Sequence, residues 1–177
     1  MPSSAIRVVC RSILAALFVA SAPINGEAKV AVTTYHYDNL RTGWNSSETT
    51  LTASNFPTGF GIVKTVQLDD QVDAQPLIVP NLKIGGKLHD VVYVVTESNS
   101  VYAIGESSGQ ILIQTNLGPP VPMQLNCVNN GNHLGITGTP VIDVKSNLLF
   151  VVAYTLDPST SPPTPTYQLH ALNLLTL

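Results

Sequence analysis

Charge is scarce in this 177-residue sequence: Asp, Glu, Lys and Arg together make up 11% of it. Lys and Arg number 8 against 11 Asp and Glu, and the basic residues are scattered, so the clustered positive footprint that phosphate backbones require is missing. Nucleic acid is thereby excluded as a partner. Cysteine is scarcer still, with Cys10 near the start and Cys127 far from it. Tryptophan occurs once, as Trp44. There is no nucleophile elbow leading from a strand into a helix, no HExxH helix and no Gly-rich phosphate loop, which removes the commonest hydrolase, zinc-protease and nucleotide-binding readings.

The apolar run at residues 13–20 is too short to span a bilayer, and Arg7 and Arg11 precede it. Residues 1–28 therefore read as a secretory signal peptide, with Gly26-Glu27-Ala28 as the favoured cleavage site and Ala20-Ser21-Ala22 as the other small-residue pattern. This predicts a secreted or periplasmic protein without stable membrane insertion. Cleavage would leave Cys127 as a lone cysteine in an oxidising compartment, with no internal disulfide to form.

What remains is 44% hydrophobic with 12 Gly and 13 Pro, a balance that suits short strands and tight turns. Residues 29–60 read as an N-terminal lead-in segment and loop, with a single helical turn near residues 51–57 capped by Thr52 and stopped by Pro57. Residues 61–68 are predicted to form the first strand. Residues 74–116 then spell out a four-stranded antiparallel meander, reversing at Gly85-Gly86, at Glu97-Ser98-Asn99 and at Glu106-Ser107-Ser108-Gly109. The run Val91-Val92-Tyr93-Val94-Val95 is apolar at every position, which a strand covered on both faces needs. A lone sheet cannot cover both of its own faces, so another copy of the same unit should pack on it.

That copy is legible after a long surface loop over residues 117–138. Thr139-Pro140-Val141-Ile142 matches Gln75-Pro76-Leu77-Ile78, Leu148-Leu149-Phe150-Val151-Val152 matches the central run, and Leu169-His170-Ala171-Leu172 matches Val101-Tyr102-Ala103-Ile104. A second loop, residues 157–166, contains Ser161-Pro162-Pro163-Thr164-Pro165, which is not expected to pair within a sheet. Repeated four-stranded units of this size predict an all-β fold, a partial β-propeller over residues 61–177. Its first blade is residues 74–116 and its incomplete second blade residues 139–177. Residues 61–68 would be the outer strand of a preceding blade, so the chain reads as a fragment, about two blades and unclosed.

Ala103-Ile104-Gly105-Glu106-Ser107-Ser108-Gly109-Gln110, followed by Ile113, resembles the Ala-x-Asp-x-x-Thr-Gly-Lys-x-x-Trp blade motif of the pyrroloquinoline quinone (PQQ)-type propeller repeat family. Tyr35-His36-Tyr37-Asp38-Asn39-Leu40-Arg41-Thr42-Gly43 is similar to the opening of secreted, quinoprotein-like members of that group. The motif departs from the family at Gly105, Ser108 and Ile113, and the second unit carries Asn173 at the aspartate position and Leu177 at the glycine position. A complete quinoprotein dehydrogenase of this kind would carry a central Ca²⁺ with carboxylate and amide ligands, an aspartate base, a tryptophan under the quinone and a vicinal cysteine pair. Cys127 has no neighbouring cysteine, and Trp44 lies outside the blades.

Other chemistry-bearing residues are few. Asp69, Asp70 and Asp73 form an acidic cluster that is a weak metal candidate, because it lacks a binding-loop glycine and a bidentate glutamate. The alternative is a solvated turn. His36, Asp38 and Arg41 could form a charged cluster at the rim, or simply pin the N-terminal loop to the first blade. His89 beside Asp90 is expected to be exposed, His133 falls in the long loop, and His170 stands where Tyr102 stands in the first unit. Asn45-Ser46-Ser47 fits a glycosylation acceptor. No catalytic or cofactor-binding residue is assigned, and PQQ and Ca²⁺ are expected only if a full-length enzyme exists. The sequence thus points to a non-catalytic, secreted binding or interaction scaffold for a protein or carbohydrate ligand, whose contact surface is the pair of long loops. Two alternatives stand beside it: the N-terminal part of a PQQ-dependent alcohol or sugar dehydrogenase, and a truncated reading frame without independent function.

Overall fold

The computed structural model describes residues 29–123 and 131–177. The signal-peptide reading of residues 1–28, with Cys10, and the fate of Cys127 lie outside the described residues. Among the described residues the fold is all-β apart from one helical turn, α1 (Phe56–Gly59). That turn starts where sequence suggested an end. Asn55 rather than Thr52 holds the N-cap position, and Pro57 sits in the first turn, where its missing N–H has no helical partner to lose.

Four strands, β1 (Leu77–Ile84), β2 (Lys87–Val95), β3 (Ser100–Gly105) and β4 (Ile111–Asn116), form an antiparallel sheet in chain order. Gly85 and Gly86 take φ of 58° and 81°, the two positive values that a two-residue turn between right-twisted strands needs, and Ile84 pairs directly with Lys87. Asn99 and Gly109 supply the positive φ of the next two reversals. Two short strands follow, β5 (Val121–Pro122) and β6 (His133–Leu134), paired with each other, so the expected loop over residues 117–138 holds a small ladder, and Ile136 within it is fully buried. A second antiparallel sheet is built from β7 (Val141–Asp143), β8 (Leu148–Asp157) and β9 (Thr164–Asn173) in the order β7-β8-β9. No sheet is closed. The second loop is shorter than expected, because β8 and β9 stay paired from Leu148↔Asn173 out to Asp157↔Thr164. Pro165 pairs there because β9 is an edge strand, where an absent N–H can face away from the ladder.

The two sheets repeat each other residue by residue. Leu77↔Tyr93 and Ile78↔Val92 in the first correspond to Val141↔Phe150 and Ile142↔Leu149 in the second. Tyr93↔Ala103 and Val95↔Val101 likewise correspond to Phe150↔Ala171 and Val152↔Leu169. Because side chains alternate along a strand, this common register gives each sheet the same two faces. One is the face of Tyr93 and its counterpart Phe150. The other is the face of Val92 and its counterpart Leu149.

Unlike faces meet. A single apolar cluster joins Leu77, Val91, Tyr93, Val95, Val101 and Ala103 of the first sheet to Ile142, Leu149, Val151 and Ala153 of the second. The opposite face of the first sheet, with Val94, Tyr102 and Ile104, is covered by Val66 and Leu68. The all-apolar central run of β2 is therefore covered on both sides, as its composition requires. Residues 61–68 do not form the expected strand. They pass over that face without a ladder partner, and a strand exists only by pairing.

Near the N-terminus, Val32 exchanges backbone hydrogen bonds with Ile78 (2.9 and 3.0 Å), while the Thr33 carbonyl accepts from the Ile142 N–H at 2.8 Å. The lead-in segment thus ties the first strands of both sheets together.

Candidate functional site

The second sheet differs from the first in one way that matters for a site. β2 ends at Val95, whereas β8 and β9 run on past the equivalent Val152↔Leu169 pair for five more pairs. Residues 119–123 fold back along this extension. The Pro119 carbonyl accepts from the Thr155 hydroxyl (2.7 Å) and the Leu156 N–H (3.1 Å), and Pro120 bridges to Thr155. A groove of about 530 Å³ opens between the two segments. Pro122, Met123 and Leu134 form one wall, and Tyr154, Leu156 and Pro165 the other. Tyr154 is held in place by stacking on Tyr167, ring centroids 4.3 Å apart. The two long loops that sequence marked as a contact surface thus converge. What sequence did not show is that strand residues, Tyr154 and Leu156, supply one wall.

β6 separates this groove from a polar cluster. Leu134 lines the groove, while the His133 ring pairs with the Asp70 carboxylate and lies 3.4 Å from the Ser98 hydroxyl. The other partners come from the β2–β3 turn. Asp69 accepts from the Thr96 hydroxyl at 2.8 Å and from the Ser100 hydroxyl at 2.5 Å, and Asp70 accepts from Ser98 at 2.8 Å. Asp73 accepts from the Gln71 side-chain amide. Burial opposes ionisation of Asp70, but the Gln71 N–H, Ser98 and His133 together hold its carboxyl below the usual range.

At the centre of this turn lies Glu97, only 2% exposed. Its Oε2 accepts from the Gly135 N–H at 2.8 Å, and among the described residues its Oε1 has no hydrogen-bond partner. Burial pushes its carboxyl up; the Gly135 N–H opposes this, and the facing carboxylates of Asp73 and Asp70 add to it. Sequence reasoning passed over Glu97, Asn99 and Gly135 as turn and loop residues. The available signal was the unbroken polar run Thr96-Glu97-Ser98-Asn99-Ser100 between two apolar strands, which has to find partners once buried.

Among the described residues, no group of three or more His, Cys, Asp or Glu is placed to hold a metal ion. Asp69 and Asp73 are exposed and Asp70 is half-buried.

His36, Asp38 and Arg41 share one tight loop but do not converge on a common point. The Arg41 guanidinium reaches the Thr34 hydroxyl and the Tyr35 carbonyl (2.7 Å), and the Asp38 carboxylate accepts from the Thr42 N–H (3.2 Å) and hydroxyl. The His36 ring stacks on Tyr35 at 4.0 Å, and its backbone N–H donates to Gln75 Oε1 at 3.0 Å. Their polar groups fold the loop and fasten it just ahead of β1.

His89 is half-buried rather than exposed, and His170 is half-buried with its Nε2 unpartnered. Asp90 turns away from its neighbour to pair with Lys29 and accept from the Asn81 N–H at 2.9 Å. Gly105-Glu106-Ser107-Ser108-Gly109 has the letters of Gly-x-Ser-x-Gly. It joins two antiparallel strands rather than a strand and a helix, so the central Ser107 does not stand on a nucleophile elbow. The Asn45 side-chain oxygen accepts from the Tyr37 hydroxyl (2.7 Å) and the Ser47 N–H (3.0 Å).

Among the described residues, no helix is long and apolar enough to cross a membrane. No family model, no curated protein and no solved structure matches the chain. The likeness to the PQQ-type repeat rests on the sequence motifs alone.

Proposed function

We propose that this chain is a secreted, non-catalytic binding module of β-propeller-type repeats, whose groove between residues 119–123 and the β8–β9 hairpin takes an extended apolar segment of a protein partner. The observation that carries this reading is the groove's lining. Among the described residues, proline, leucine, methionine, valine and tyrosine supply it, without a charged or amide side chain. A carbohydrate site of this size needs several polar groups to replace the water lost from sugar hydroxyls, and among the described residues the only side-chain one here is the Tyr154 hydroxyl. An apolar peptide asks for little more than area and shape. The common register of the two sheets and their packing by unlike faces support the propeller-type reading, and the leader-like residues 1–28 support secretion.

Amide chemical-shift mapping of the full chain against a panel of extended apolar peptides tests the groove. Saturable shifts confined to residues 121–123, 134 and 154–165, lost in Leu156→Asp, are expected. Shifts clustered elsewhere would reject the site. Saturable binding of PQQ with Ca²⁺ in a fluorescence titration would replace this reading with a cofactor-bearing one.

A further inference from the structure

The second sheet has an open edge and an uncovered face. Among the described residues β9 is paired only with β8, and on the Phe150 face Val152 and Leu169 stand exposed, Leu169 at 71%. That face is the counterpart of the Tyr93 face, which the first sheet buries against a Leu149-type face. At the far side of the molecule, residues 61–68 present the complementary lack. They lie over the Val92 face with Val66 and Leu68 turned in, while Ile62 and Val63 are 90% and 77% exposed. Among the described residues, 62–67 have no backbone–backbone hydrogen-bond partner. They are a strand without a sheet, and β7-β8-β9 is a sheet one strand short of its counterpart. The first sheet stands between them, so one copy cannot bring them together.

We infer that copies of this chain associate head to tail. Residues 61–68 of one copy pair with β9 of the next as its fourth strand, and that completed sheet sets its Phe150 face on the first copy's Val92 face. The contact between copies then repeats the contact between the two sheets inside each copy. One arrangement satisfies the unpaired backbone, the open edge and both incompletely covered faces. It is heterologous, so it grows into a closed ring or an open filament according to the rotation per step. The inference stands independently of the groove, whose extension lies beyond the repeated part of the sheet.

Light scattering on the purified full chain should give a mass of two or more times the 18.8 kDa of one copy. Two variants at exposed positions disable opposite ends: Leu169→Lys charges the face, and Ile62→Pro with Val63→Pro removes adjacent donors from the strand. Each alone should be monomeric. Mixed in equal amounts they should form a one-to-one dimer, because each keeps the half that the other lacks. Amides of residues 62–67 should be protected from hydrogen exchange in the parent assembly and exchange freely in Leu169→Lys. A monomer at concentrations up to about 100 µM, far above micromolar dissociation constants, would overturn the inference. So would an oligomer that survives both variants, or a mixture that stays monomeric.

Discussion

The Tyr93 hydroxyl donates a 2.6 Å hydrogen bond to the carbonyl oxygen of Leu174, linking the centre of the first sheet to the turn that follows the second. Both residues are buried, and burial drives the phenol's pKa well above its ordinary value, so it remains a donor at any physiological pH. The ring fills the junction between sheets while its tip satisfies a carbonyl that water cannot reach. Tyr93→Phe keeps the ring and orphans the carbonyl, which should cost about 1–3 kcal/mol in a urea unfolding experiment. A variant as stable as the parent would show that the bond contributes nothing net.

Asn99 adds a second link and does so under backbone constraint. At φ of 58° it sits in the left-handed region, and its side-chain amide donates to the Gly118 carbonyl (3.2 Å) and the Tyr154 carbonyl (2.9 Å). Asn99→Gly loses both bonds but keeps the backbone; Asn99→Ala loses both and adds strain. The alanine variant should therefore be the less stable of the two by about 1 kcal/mol. Equal stabilities would mean that the hydrogen bonds alone account for the asparagine.

Gly135 is fixed by space rather than by φ. A Cβ built on it would lie 2.1 Å from the Glu97 carbonyl oxygen and 2.7 Å from Asn99 Oδ1. The first of these is backbone and cannot swing aside. Gly135→Ala should push β6 away from the β2–β3 turn, weakening the His133–Asp70 pair and costing upwards of about 2 kcal/mol. The matched control is Gly138→Ala, where no atom lies within 4 Å of the added carbon. If both alanines unfold at the same denaturant concentration, the close approach is not a constraint.

The turns and registers were legible because they are local: Gly85-Gly86 admits few conformations, and apolar alternation fixes which side chains share a face. The likeness of the two sheets was legible too, since β-branched runs survive alignment. Residues 61–68 have the composition of a strand, but a ladder depends on a partner that composition cannot supply. Glu97 and Gly135 were missed because their contact spans 38 positions and arises only when the long loop folds back onto the turn. The groove was half visible: its loops carry prolines that mark them, whereas Tyr154 and Leu156 look like any strand residues until β8 outruns the end of its counterpart.

Two carboxyl groups that meet β6 and the residue after it, Asp70 at His133 and Glu97 at Gly135, pull stability in opposite directions with pH. Glu97 is held above its ordinary value of 4.5, so the folded chain binds its proton more tightly than the unfolded chain does. Its contribution is fully present below 4.5 and is lost as pH rises through the raised value. Asp70 is held below its ordinary 3.8, so its contribution is present above 3.8 and disappears as pH falls through the lowered value. Glu97→Gln keeps an acceptor for the Gly135 N–H and cannot ionise. Relative to the parent, it should gain stability as pH rises from 4.5 through the raised value and level off above it. Asp70→Asn should do the reverse, losing stability relative to the parent above 3.8 and converging with it in acid. Unfolding free energies measured by urea titration across pH, for the parent and both variants, give the two slopes directly. A Glu97→Gln difference that is flat with pH would mean the carboxyl is as easily ionised folded as unfolded, and that its unpartnered oxygen finds a donor.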